Sequence, residues 1–137
     1  MFTASESDIQ VLRYDSGGGR LPFLVQAHAP PGEHSAPSVA GLQGGGVAVV
    51  WEHTDVGATT DSGGYKVLLE LFDASGGSVA GPITLASSFR SGGGEVNNRP
   101  INPVVTQLSG GDVVVAWRLN GSGLHGFGSD DGGGPRL

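Results

Sequence analysis

The chain contains no cysteine. That excludes a disulfide framework, a thiolate zinc site and a cysteine nucleophile. Basic residues are scarce: 7 Lys and Arg stand against 13 Asp and Glu, for a formal net charge of −6, and Lys66 is the one lysine. Such a balance argues against nucleic acid and anionic membrane surfaces as partners. Long apolar runs are missing too, and none approaches the roughly 18 residues of a transmembrane helix. The first ten residues, MFTASESDIQ, lack the basic region and apolar core of a secretory signal peptide. Capped helical periodicity is absent as well, and Gly and Pro are spread too evenly to leave room for a long helix. What abounds is glycine, 26 of 137 residues. It falls in runs (Gly17 to Gly19, Gly44 to Gly46, Gly92 to Gly94, Gly132 to Gly134) and not at every third position, so the chain is not collagen-like. At 13.8 kDa it is one ordinary domain or one unit of an assembly.

The sequence repeats itself. Pro37 to Trp51 aligns without a gap on Pro103 to Trp117, at a spacing of 66 residues, and 8 of the 15 positions are identical. Outside that window, the run into Tyr14-Asp15 and its glycine turn resembles the run into Phe72-Asp73 and its own Gly-Gly. Val47 to Trp51 and Val113 to Trp117 are rich in β-branched and aromatic residues and follow Gly-Gly turns, which reads as strand after hairpin turn. Both runs are apolar on both faces, the mark of strands buried between layers. Val67 to Phe72 is a third strand with Glu70 as its one charge. Val79 to Leu85 is a fourth, and Gly81-Pro82 within it marks an edge strand or a bulge.

With the Pro-Val-Leu run as strand a, the run into Trp as b, the run into aromatic-Asp as c and the last as d, the order can be read. Residues 9–29 are c-d, 36–88 are a-b-c-d, and 102–118 are a-b. One complete unit is flanked by two complementary halves. Four antiparallel strands per repeat is how a β-propeller blade is built. The expectation is an all-β domain over residues 1–119 of about eight strands in two four-stranded, blade-like units with permuted strand order. Residues 120–137 form a Gly-rich tail expected to be disordered. Residues 92–100 are expected as a long loop.

The pattern Pro-x-Val-x-x-Leu-x-x-Gly-Gly-x-Val-x-x-Trp, followed by Phe-Asp-x-x-Gly-Gly, resembles a repeat of large secreted RTX-type bacterial proteins. The resemblance covers residues 9–29, 36–88 and 102–118. It implies propeller-like or sandwich-like β units and an extracellular setting. The calcium-binding nonapeptide of that family is absent, and Gly126 to Gly134 only echoes it, so calcium binding is not carried over.

Chemistry is sparse. His28, His34, His53 and His125 show no metal-ligand spacing and are expected as solvated loop residues. No serine sits in a nucleophile elbow. Glu52, Asp55 and Asp61 fall in an expected loop after strand b. They could offer oxygen ligands to Ca²⁺, but their spacing fits no calcium loop, and a solvated acidic loop is favoured. No cofactor is therefore expected. Trp51 and Trp117, at equivalent strand ends, could stack on sugar rings with Glu52, Arg118 and Asn120 beside them. The favoured reading puts both indoles in the core.

Two function classes follow. The first is a non-enzymatic structural or interaction module, a building block of a larger secreted or surface assembly. The second is a lectin-like module with one glycan site per repeat. An enzyme is not expected, because no convergent polar cluster is visible. Two units cannot close a propeller ring, which needs about 4 to 8 blades. The chain is thus expected to bind itself, head to tail, as a closed trimer or tetramer in which the N-terminal c-d completes a neighbour's a-b. Two arrangements compete: a monomeric sandwich of the two units, and open polymerisation if the rotation does not close.

Overall fold

A computed structural model describes residues 8–26, 31–59, 63–90, 96–97 and 99–120. Among them the chain is all-β and antiparallel, with no helix. The elements are β1 Gln10–Tyr14, β2 Arg20–Gln26, β3 Gly32–Gly41, β4 Val47–Thr59, β5 Gly63–Phe72, β6 Ser78–Ser87, β7 Phe89–Arg90, β8 Val96–Asn97, β9 Arg99–Gln107 and β10 Val113–Asn120. Of the expected tail 120–137, Asn120 instead ends β10, paired with Arg99, and the rest lies outside the described residues. The expected loop over 92–100 contributes β8 and the start of β9, and β8 pairs with β7.

Four hairpin turns share one construction. Asp15, Leu42, Asp73 and Leu108 each accept from the amide three residues on, at 2.9–3.1 Å. Each also donates its own amide to the carbonyl four residues on, at 2.8–2.9 Å. The residue completing each turn is a glycine at positive φ: Gly18, Gly45, Gly76 and Gly111, at 84–99°. A type I turn closed by a glycine bulge demands that conformation, which is why the Gly-Gly pairs sit where they do. In two of the turns the aspartate adds a brace. Asp15 accepts from the amides of Gly17 and Gly19, and Asp73 from those of Ser75 and Gly77. The Ser75 hydroxyl, with these amides, holds the Asp73 carboxyl below its ordinary range.

The two a-b hairpins are alike down to their irregularities. β3 pairs β4 as Gly41↔Val47 to Ser38↔Val50, skips a residue, and resumes at Ser35↔Glu52. β9 pairs β10 as Gln107↔Val113 to Val104↔Ala116, skips a residue, and resumes at Ile101↔Arg118. In both, the skipped residue stands at positive φ just before a proline: Ala36 at 49° and Asn102 at 54°. These are the two such non-glycine residues among those described. A left-handed residue of this kind costs energy unless its surroundings fix it. Its recurrence 66 residues later marks the bulge as part of the repeat.

Strands β3-β4-β5-β6 form one four-stranded sheet, while β1-β2, β9-β10 and β7-β8 form two-stranded sheets. The expected pair of four-stranded units is therefore half realised. The two leftover halves do not pair with each other, because the four-stranded sheet lies between them. On one face Ile9, Val11 and Leu21 cover Val47, Val49, Trp51, Leu68 and Phe72. On the other, Val105, Val113 and Val115 cover Ala48, Val50 and Leu69. The result is three layers, not the two-layer sandwich. Val47 to Trp51 of β4 is buried on both faces as its two-sided apolar pattern expects. β6 is an edge strand with a register shift opposite Gly81-Pro82, again as expected.

Candidate interaction surfaces

The repeat also keeps its orientation. Val47, Val49 and Trp51 face the β1-β2 layer, and their equivalents Val113 and Val115 face the four-stranded sheet in the same sense. Each unit thus turns one face toward the unit before it in the chain and the other toward the unit after it. Hydrogen bonds link successive units at their turns and bulges. The Arg13 guanidinium donates to the Gly45 carbonyl at 2.7 Å, and the Gln43 amide group to the Ser109 carbonyl at 2.8 Å. The Glu52 carboxylate accepts from the Asn102 amide at 2.9 Å.

The expected glycan residues do not share one environment. Trp51 is fully buried, with no face open to solvent, and its Nε1 has no hydrogen-bond partner. Glu52 is committed to the next unit through Asn102. Trp117 is 36% exposed, and Arg118 and Asn120 are exposed on the same strand. Arg118 holds the place in its hairpin that Glu52 holds in the first, so the two positions carry opposite charge.

The expected acidic loop is strand instead, since β4 runs on past Trp51 to Thr59. Asp61 lies outside the described residues. Asp55 faces His53 Nε2 at 2.8 Å and accepts from Lys66 Nζ at 3.0 Å. Burial acts to raise the Asp55 carboxyl, but the Lys66 and His53 contacts outweigh it and hold the carboxyl below its ordinary range. A carboxylate stabilised in the folded chain adds stability above the unfolded value of about 4, and that contribution is lost as the pH falls through the lower folded value. The melting-temperature gap between the native chain and Asp55→Asn should therefore be full above about pH 5 and close as the pH falls below about 4. A gap unchanged down to pH 3 would contradict it.

Two histidines expected in solvent are buried. His34 and His53 are 6% and 1% exposed, their rings stack with centroids 4.8 Å apart, and their Nδ1 atoms are 3.1 Å apart. One Nδ1 must donate and the other accept, so a single proton lies between the two Nδ1 atoms. Both nitrogens of His53 are engaged, by His34 and Asp55. The bulge hides this pair from the sequence. Counting back from the Gly44-Gly45 turn without it sets Ser35 opposite His53, and the one-residue skip at Ala36 brings His34 there. The signal available was the alternation Val49, Trp51, His53, which carries the buried face onward.

The two flanking halves are exposed where their counterparts are covered. Tyr14 is 56% exposed while Phe72, its counterpart, is buried. Val114 and Ala116 are exposed while Ala48 and Val50 are buried. Between β1 and the β3-β4 face lies a cleft of about 250 Å³, lined by Gln10, Val11 and Leu12 on one side and Pro37, Val39 and Val49 on the other. No known protein family, curated protein or solved structure matches the chain, so its own geometry is what bears on function.

Proposed function

We propose that the chain is a non-enzymatic interaction module of β-propeller-like repeats that assembles with copies of itself, as a building block of a larger secreted or surface assembly. One observation carries the reading: residues alike in sequence and backbone are buried in the complete unit and open to water in the two halves. Trp51 at 0% and Trp117 at 36% exposed are the sharpest case. Exposed apolar side chains on both outer layers form the kind of surface soluble monomers seldom leave uncovered. Two incomplete units facing opposite ways suit head-to-tail association that closes by rotation, with three or four copies giving six or eight blades.

Light scattering on the purified chain tests this. A mass of three or four times 13.8 kDa is expected. A mass near 13.8 kDa at every concentration would sink it. The second reading, glycan binding, rests on the half-exposed indole of Trp117 with Arg118 and Asn120 beside it, because Trp51 offers no face. Sugar-dependent quenching of fluorescence that vanishes in Trp117→Phe and persists in Trp51→Phe would favour it.

A further inference from the structure

Self-assembly, the reading on which this inference rests, has the N-terminal c-d complete a neighbour's a-b but does not say in which register the strands meet. The geometry points to antiparallel pairing of β10 of one copy with β1 of the next, in the register that β4 and β5 use within the chain. β10 is the counterpart of β4, with the same turn, bulge and positive-φ residue. β1 is the counterpart of β5, with the same aspartate-braced turn. β4 pairs with β5, whereas β10 and β1 each have one neighbour among the described strands. What β10 lacks is a c strand, and what β1 lacks is a b strand. Each copy carries both.

The internal pairing Ala48↔Leu71, Val49↔Glu70, Val50↔Leu69 and Trp51↔Leu68 sets the register. Transferred by the repeat spacings, it becomes Val114↔Arg13, Val115↔Leu12, Ala116↔Val11 and Trp117↔Gln10. The cleft between β1 and the β3-β4 face is where such a strand would lie. Inside the chain the corresponding place is occupied: Ala48 and Val50 of β4 pack against Val105 and Val115 of the next unit. An incoming β10 would lay Val114 and Ala116 over the cleft, against Pro37 and Val39. Val39 is 54% exposed, Leu12 46% and Val114 42% in the single copy.

The pairing stops short at the turn. Gly46 of the complete unit passes so close to the Phe72 carbonyl that a Cβ there would collide with it. Asp112 stands at Gly46's place in the second hairpin. β10 must therefore splay from Tyr14 at this end, and the paired segment runs from Val114 to Trp117.

Because the native chain has no cysteine, engineered pairs report the register directly. β1 and β10 lie on opposite sides of the four-stranded sheet, and packed sheets stand about 10 Å apart. A disulfide, limited to about 7 Å between Cα atoms, cannot bridge that within one copy. Three double variants suffice: Leu12→Cys with Val115→Cys, Val11→Cys with Ala116→Cys, and the slipped control Leu12→Cys with Ala116→Cys. Neighbouring register positions alternate in Cβ spacing, so both in-register variants are made. Mild oxidation should give a ladder on a non-reducing gel from at least one in-register variant, at about tenfold the yield of the control. A one-residue slip sends side chains to opposite faces and should give almost none.

Val114→Lys is the second arm. Its site is solvated in the single copy, so the circular dichroism should not change while the high-mass species is lost. Association that survives Val114→Lys, or cross-linking as strong in the control as in register, would overturn the pairing and leave self-assembly standing. A native chain that stays monomeric and a ladder that never forms would overturn both.

Discussion

Trp51→Ala should cost the folded chain about 3–5 kcal/mol, and Trp117→Ala about 1–2 kcal/mol, although the two tryptophans occupy the same place in a repeated hairpin. The difference is one of layers. Trp51 lies in the central sheet within a cluster with Ile9, Val49, Leu68 and Phe72, and no part of it reaches water. Removing it leaves a cavity that strands fixed on both sides cannot fill by moving together. Trp117 sits in an outer layer, partly solvated, so its truncation loses less buried area and leaves room for collapse. For a domain of this size each kcal/mol corresponds to roughly 3–5 °C in melting temperature, which puts Trp51→Ala about 10–20 °C down. Equal losses at the two positions, measured at a dilution where the chain has its single-copy mass, would mean the layer assignment is wrong.

Gly46→Ala should cost about 2–3 kcal/mol, whereas Asp112→Ala should stay within about 0.5 kcal/mol. A Cβ on Gly46 meets main chain, the Phe72 carbonyl and then the Asp73 Cα, so no side-chain rotation relieves it. β5 would have to retreat, and the Val47↔Phe72 pairing with it. Asp112 already carries a Cβ, because β10 has no c strand beside it. Chemical denaturation of the two variants decides the matter, and matching midpoints would show that β5 is not pinned against the first turn.

Much of the fold can be read from residue order. The Gly-Gly pairs announce the turns, the two-sided valine run of β4 announces a central strand, and Gly81-Pro82 announces the edge. These are local signals, each complete within a few residues. What the sequence withholds depends on one residue at a distance or on a missing neighbour. The skip at Ala36 shifts every pair beyond it and so brings His34 opposite His53. The extension of β4 through Asp55 needs β5 alongside it, and Glu52 to Asp55 read as loop without that partner. Val113 to Trp117 has the same two-sided pattern as β4 but one layer to pack on, and no pattern within a strand reports how many layers cover it. Of the expected sugar-site residues, the strand ends were legible. The separation of Trp51 from Trp117 into covered and half-open environments was not.

The bulge before Pro37 and Pro103 has a consequence for how the two hairpins can diverge. The instructions that shape the backbone reside in few positions: a left-handed residue followed by proline, and a glycine at the close of the turn. The residues that meet the neighbouring layer reside elsewhere. Histidine can thus become proline (His34, Pro100), histidine become leucine (His53, Leu119), and glutamate become arginine (Glu52, Arg118) while strand register is unchanged. Shape is inherited from one small set of letters and affinity is written in another. A hairpin built this way can drift toward a new neighbour without relearning how to fold.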